Sequence, residues 1–413
     1  MTRKLYDENN RLLTFSGTVV ACNYNEKKKL YEVELDQTAF FPEEGGQMPD
    51  WGVLGGQTVM DVKLVKDKET HDETIIHLLE EPVQVGDWLI GEVDWAHRFD
   101  QMQQHSGEHL ISGLCCSTFK CNNVGFHLGP AETTLDFDTV ITTEQMADIE
   151  RRANQAVYEN FEVLILYPSK EELKDMEYRS KIDIPGQVRI VEFPGYDRCA
   201  CCAPHVARTG EIGMIKIVNV QKHRGGVRVN ILCGERARAD YDRKFKSVSE
   251  IAQKLSAKQD QVTDAFDRIM AAQEELKQKL ITFQAAYLDA QIAALGEPSY
   301  PDHNGECSDA GHDENEANAG LKNALLILDG IDNIAQRNAV NSMAEKYTGF
   351  SGILNGNPDK GYFFIISSNQ EDCRALAGRM RQTFGAKGGG SKEMIQGQIS
   401  ADPYEFKEWF MGL

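Results

Sequence analysis

Two short segments, far apart in the chain, each carry a pair of metal-ligand side chains four residues apart. "QHSGEHL" holds His105 and His109, and "CACCAPH" holds Cys201 and His205. On a helix one turn brings His105 and His109 to the same face. Thiolate and imidazole are the preferred ligands of Zn2+. Either pair alone is a weak signal. Together they form a three-His, one-Cys set that would hold one Zn2+ per chain, and the stretch between them must then fold back on itself. The competing choice is Cys199 with Cys202, a CxxC pair. A zinc knuckle would need a second such pair, and none exists. Cys115 and Cys116 are adjacent and poorly spaced for chelation. Cys199 and Cys202 are therefore read as neighbours of the site, not ligands. Four protein ligands are usual for a structural zinc, whereas catalysis needs an open position, and spacing leaves both readings open. Glu108, beside His109, reads first as a solvated helix residue, with a general base as the functional alternative.

The elements around these pairs follow from hydrophobic periodicity. Residues 1 to about 90 read as short strands: "KLYEVELD" alternates, with Tyr31, Val33 and Leu35 on one face. A small barrel or sandwich is expected. From about 95, "RFDQMQQHSGEHLISGLCCSTF" has helical spacing. "NVGFHLG" and "TTLDFD" return to strands. "TTEQMADIERRANQAVYEN" reads as a helix capped by Thr142 or Thr143. "GMIKIVNVQKHRGGVRVNILCG" reads as two strands around a Gly-Gly turn. From 240 to 295, Val248, Ile251, Leu255, Val262, Ala265, Ile269, Ala272, Leu276, Leu280, Phe283 and Tyr287 mostly keep three- and four-residue steps, with no Pro or Gly between. This predicts a long helix or helical hairpin of coiled-coil type. Residues 296–320 hold seven acidic residues and no Lys or Arg, the composition of a solvated linker. The last hundred residues alternate strand and helix and end in "GAKGGGSKEMIQGQ".

Charge and cysteine usage exclude several classes. The net charge of −20 argues against a protein that coats nucleic acid non-specifically. Yet Arg374, Arg379, Arg381, Lys387 and Lys392 fall in one stretch with no acid among them, a local basic patch. Ten cysteines in 413 residues are far too few for a disulfide scaffold. Clustered with His, they point to metal or catalysis. "MTRKLYDENNRLL" is no signal peptide and no later run approaches a membrane span, so a cytoplasmic protein with no membrane partner is expected.

"QHSGEHLISG" and "CACCAPHVARTGEIG" resemble the paired HxxxH and CxxxH motifs of alanyl-tRNA editing domains. "LDQTAFFPEEGGQMPDWGVL" is similar to the Gly-rich barrel motif upstream in that family. "VGFHLG", "TTLDFD" and "GGVRVNILCGERA" follow in the family's order. "FGAKGGGSKEMIQGQ" looks like the signature of the DHH-associated domain that ends the longer free-standing editing proteins. The resemblance covers nearly the whole chain, with no room for an aminoacylation domain. It implies an α+β protein in five parts: an N-terminal β-barrel (1–92), a zinc-binding editing domain (93–236), a helical, coiled-coil connector (237–296), an acidic linker (297–320) and a C-terminal α/β domain of DHH-associated type (321–413). Two departures stand out. Cys202-Ala203-Pro204 replaces the small, Gly-rich residues usual between the ligand Cys and His, and Glu44 stands where a third Gly is common.

What the resemblance implies for activity is trans-editing: zinc-dependent hydrolysis of Ser-tRNA(Ala), and of Gly-tRNA(Ala), with mischarged tRNA(Ala) as partner. It implies catalytic roles around Cys201, Glu108 and Thr38. Thr38 matches a position facing the amino acid, where a hydroxyl could bond serine; a plain strand-end Thr is the alternative. Gly45, Gly46, Gln47 and His127 would line the substrate, although Gly45 and Gly46 equally suit a plain turn. Lys387, Gly388, Gly389 and Gly390 would form a loop on tRNA phosphates, or an ordinary glycine turn. The helical segment or the C-terminal domain offers a homodimer contact. The other reading is a non-catalytic tRNA-binding or assembly factor with a structural zinc.

Overall fold

The computed structural model describes residues 2–67, 72–180, 187–296 and 322–413. The chain forms two compact units, residues 1–250 and 251–413. The expected acidic linker falls outside the described residues, and the expected boundary near 92 lies inside the first unit. Among the described residues no helix is long and apolar enough to cross a membrane.

The first unit opens with a seven-stranded sheet, not a closed barrel. Its antiparallel strand order is Gln57–Thr58, Gly52–Leu54, Trp88–Val93, Thr14–Asn25, Leu30–Leu35, Glu73–Leu79, Asp61–Lys66. The two end strands do not pair. The twelve-residue strand Thr14–Asn25 is shared between two pairings. An irregularity between Val19 and Ala21 bends it, so its first half pairs with Trp88–Val93 and its second with Leu30–Leu35. The sheet folds over its own core of Phe15, Val33, Leu35, Phe40, Phe41 and Leu54, and burial is achieved without closure.

The metal-ligand segments belong to the next layer. The helix Trp95–Phe119 begins at Asp94, whose side chain accepts from His97 N–H, and ends at Lys120 in the left-handed region. Most of its residues are buried. It packs against a four-stranded antiparallel sheet ordered Asn123–Leu128, Thr133–Phe137, Gly226–Cys233, Ile215–His223. It also packs against the three-stranded sheet Leu164–Leu166, Ile190–Phe193, Asp197–Ala200. Small residues permit this. A Cβ on Gly107 would lie 2.2 Å from the Cys233 sulfur, and one on Gly113 2.4 Å from the Tyr196 carbonyl oxygen. The helix Thr143–Glu159 has the expected cap, resolved to Thr142, which forms a capping box with Gln145.

A buried ion pair ties this helix to the N-terminal sheet. Arg98, fully buried, donates from Nε to Asp50 Oδ1 (2.7 Å) and from Nη2 to Asp50 Oδ2. Its remaining donors reach the carbonyls of Asn10 (2.8 Å) and Ala39 (2.7 Å), and Asp50 also accepts from Phe41 N–H.

The helical stretch is broken in two. Gly234–Lys254 and Val262–Ala293 are separate helices, with the boundary between units falling in the first. Ser256 adopts φ 49° and Ala257 N–H returns to Ala252 O (2.9 Å). This is the capping geometry usually given to glycine, so the sequence left a single helix and a hairpin both open, with no Gly or Pro to mark the stop. In the second unit, strands run in the order Ala324–Leu328, Ser351–Asn357, Gly361–Ser367, Met394–Ile399, Lys387–Gly390. The Lys387–Gly390 segment is therefore not a loop. It is an exposed edge strand, antiparallel to Met394–Ile399, in a register where a side chain at Gly388 would strike the Gln396 carbonyl at 2.2 Å.

Removing one partner of a buried ion pair leaves an uncompensated charge. Asp50→Ala is expected to destabilise the protein by about 3–5 kcal/mol, measured by urea unfolding, whereas Arg3→Ala, which loses the exposed Arg3–Glu8 pair, should leave the unfolding midpoint nearly unchanged.

Candidate metal centre

His105, His109, Cys201 and His205 converge as the spacing predicts. One ligand atom from each lies within 4.8 Å of every other, and all four are buried or nearly so. Cys201 packs against both hydrophobic cores of the first unit. Its sulfur is 3.5 Å from His105 Nε2 and 3.8 Å from His205 Nε2. A tetrahedral Zn2+ with bonds of about 2.3 Å to sulfur and about 2.0–2.1 Å to nitrogen sets the N···S separation at about 3.6 Å. The donor set therefore fits zinc in type, number and spacing.

The second layer of contacts fits as well. Each imidazole has its Nδ1 beside an oxygen: His105 on the Gln47 amide (2.8 Å), His109 on the Asp197 carboxylate (2.8 Å), His205 on the Ala203 carbonyl (2.7 Å). This leaves each Nε2 as the ligand atom, the usual device for orienting a metal-binding histidine. His109 Nε2 is buried with no hydrogen-bond partner.

The electrostatics favour a cation at this point. Burial pushes the Cys201 thiol up, but His105 and His205 outweigh it and hold it well below its ordinary value. Burial holds His205 down near 3. At His109 burial acts the same way, yet Asp197 and Cys201 raise it to about 10. The charge they favour on His109 Nε2 is one a divalent ion can supply instead. Cys199 and Cys202 lack this help. Burial raises Cys199, and its thiol bonds the Ala200 carbonyl. Burial, then Cys201 and Glu44, raise Cys202.

Glu108 is not a solvated helix residue. It is buried, because the helix has packing on every side. Its Oε1 accepts from Ser112 (2.7 Å) and Asn123 (2.8 Å), and its Oε2 stands 4.0 Å from His109 Nε2. Gly45 and Gly46, at φ 62° and 84°, form the centre of a two-residue hairpin between Glu44 and Gln47, a turn that requires positive φ at both positions. The turn delivers Gln47, whose Nε2 is buried and unpaired. It also brings Gly46 against Phe126, which packs on His105 with ring centroids 4.8 Å apart. His127, next in that strand, points to an exposed position.

Thr38 is placed differently. It is fully buried, and its hydroxyl lies 2.9 Å from His77 Nε2 and accepts from Phe40 N–H. His77 Nδ1–H donates to the Val33 carbonyl (3.1 Å), so Nε2 accepts the Thr38 proton. The structure does not bring Thr38 into contact with the four ligands. Asp197, Arg179, Asn123, Ser112 and Phe126 are the site residues that sequence reasoning missed. Of these, Ser112 lies inside "QHSGEHLISG", and Asn123 and Phe126 lie inside "NVGFHLG"; these motifs offered the only signal.

Comparison with known proteins finds similarity in the segment that carries two of the four candidate ligands. Residues 188–229, which include Cys201 and His205, match the family described as the threonyl and alanyl tRNA synthetase second additional domain. An alanyl-tRNA editing protein of Danio rerio is 27% identical over 294 residues, covering 67% of this chain and 70% of that protein. The chain is a relative of the alanyl-tRNA editing proteins. An editing protein of Xenopus laevis is 28% identical over 257 residues, 61% of each chain. An alanine–tRNA ligase of Ignicoccus hospitalis is 27% identical over 306 residues, which is 71% of this chain but only 33% of that ligase.

Burial holds His77 down at about 4, against about 6.5 in an unfolded chain. Above pH 6.5 both states are neutral there and no slope arises. Between pH 6.5 and 4 only the unfolded chain binds the proton, so stability falls as pH drops, by on the order of 3 kcal/mol. Urea unfolding at pH 7 and pH 4.5 should show this loss in the wild type, and a smaller loss in His77→Gln.

Proposed function

We propose that the protein is an aminoacyl-tRNA deacylase that hydrolyses the ester of serine, and of glycine, wrongly attached to tRNA(Ala). One Zn2+ per chain is held by His105, His109, Cys201 and His205. The observation that carries the reading is the convergence of these four ligand atoms in a chain similar to alanyl-tRNA editing proteins. When bound, Zn2+ supplies positive charge to the ester carbonyl or the substrate amino group.

The chain's own residues do the rest. Glu108, fixed through Oε1 by Ser112 and Asn123, takes the proton of the attacking water at Oε2 and returns it to the leaving ribose hydroxyl. Gln47 holds His105 through Oε1 and offers its unpaired Nε2–H to substrate oxygen. Thr38, having given its proton to His77, keeps an acceptor lone pair for the serine hydroxyl. Gly45, Gly46 and the exposed His127 line the approach of the terminal adenosine. The Lys387–Gly390 edge strand, next to the basic residues Arg379 and Arg381, contacts tRNA phosphates. Phe266, Ile269, Leu276, Leu280 and Phe283 are exposed on the helix Val262–Ala293 and give a homodimer its contact. The setting is the cytoplasm.

A second reading is supported by the closed four-ligand set, which is typical of structural zinc: a tRNA-binding assembly factor. The test is deacylation of Ser-, Gly- and Ala-tRNA(Ala) by purified protein. Hydrolysis of the first two is expected. Glu108→Gln should lower the rate about 10²–10⁴-fold with zinc content unchanged. The Cys201→Ala, His205→Ala double variant should lose both zinc and activity. Binding of tRNA(Ala) with Ser-tRNA(Ala) left intact would favour the assembly factor.

A further inference from the structure

The three histidines do not have equivalent partners. His105 donates to a neutral side-chain amide and His205 to a main-chain carbonyl. His109 alone faces a carboxylate, Asp197 Oδ2 at 2.8 Å. That carboxylate is gripped by a two-pronged guanidinium: Arg179 Nε to Oδ1 and Nη2 to Oδ2, both 2.7 Å. Such forks are geometrically specific and charge-assisted.

The surroundings are built to admit this pair. Asp197 lies on the strand Asp197–Ala200, which runs straight into the ligand Cys201. Arg179 is bound to the same strand by its main chain, its N–H donating to Arg198 O (2.8 Å) and its carbonyl accepting from Ala200 N–H (2.9 Å). On the facing helix, one turn beyond His109, a side chain at Gly113 would fall 2.5 Å from Asp197 Cβ. Glycine in a helix interior weakens the helix, and here it lets the carboxylate reach His109.

We infer that Asp197 and Arg179 are positioning residues of the metal centre: through His109 Nδ1 they hold Nε2 on the ion and make His109 the strongest of the three imidazole ligands. Arg179 keeps the carboxylate in place and offsets its charge. The inference rests on the proposed Zn2+ site, and loss of such an outer partner weakens a metal site about 10–100-fold.

The experiment measures Zn2+ affinity of the full-length chain by competition with a chromogenic chelator, and the absorption spectrum of the Co2+-substituted protein. Asp197→Ala and Asp197→Asn should weaken Zn2+ binding about 10–100-fold and shift the Co2+ spectrum. Asn preserves size and an acceptor, so its loss isolates the charge. Arg179→Lys, a milder change that keeps the charge, should give a smaller loss. Asp136→Asn serves as the control. It breaks an equivalent fork from Arg228 (2.7 and 2.8 Å) on another sheet of the same unit, and it should leave Zn2+ affinity unchanged. Folded Asp197→Asn protein with wild-type affinity and spectrum would overturn the inference, as would equal weakening by Asp136→Asn. A wild type that binds no Zn2+ overturns the site and the inference together. Tight Zn2+ binding without Ser-tRNA(Ala) hydrolysis counts against the deacylase reading alone, and the Asp197 comparison is then read unchanged.

Discussion

Burial of a helix rich in polar side chains is the constraint on which the first unit depends. Trp95–Phe119 places Arg98, Gln104, His105, Ser106, Glu108, His109 and Ser112 out of water. Each buried polar group must find a partner or cost stability. Arg98 finds Asp50, Gln104 the main chain of Cys233, Ser106 the N–H of Val206, and Glu108 the pair Ser112 and Asn123. Ser112 apart, these partners come from outside the helix: the segment before Gly52–Leu54, the strands Asn123–Leu128 and Gly226–Cys233, and the segment after Cys201. Satisfying the helix therefore assembles the unit around it.

The same requirement gives the metal centre its precision. Once His105, His109 and His205 are buried, each Nδ1–H needs an oxygen, and each acceptor comes from a different segment: the Gly45–Gly46 turn, the strand before Cys201 and the main chain before His205. Ring orientation is thereby settled by the protein's own contacts, and His109 Nε2 is left buried without a hydrogen-bond partner. Cys201 differs from its neighbours Cys199 and Cys202 in the same terms. Imidazoles surround it, whereas a carbonyl and a carboxylate face the other two.

Much of this was legible in the chain. Four-residue spacing on two segments pointed to His105, His109, Cys201 and His205 as candidate ligands; the first pair lies one helical turn apart, the second in irregular chain. Alternation and helical periodicity located most elements, and the Thr142 cap followed from local hydrogen-bond chemistry. Glu108 was misread because one face of a helix is normally solvated, and nothing local announces packing on every side. The open ends of the N-terminal sheet were not legible, because alternation marks strands and not which of them pair. The helix stop at Ser256 used a serine where glycine is the recognisable signal.

By itself the sequence determined the candidate ligand set, the α+β character and the similarity to alanyl-tRNA editing proteins, since these rest on residue type and short-range spacing. Tertiary structure alone decided the partners: Asp197 and Arg179 on His109, Gln47 on His105, Ser112 and Asn123 on Glu108, His77 on Thr38. Those pairings link residues from 4 to 88 positions apart, and most carry no periodic signature. They arise because buried hydrogen-bonding groups must be matched wherever the packed elements bring them together.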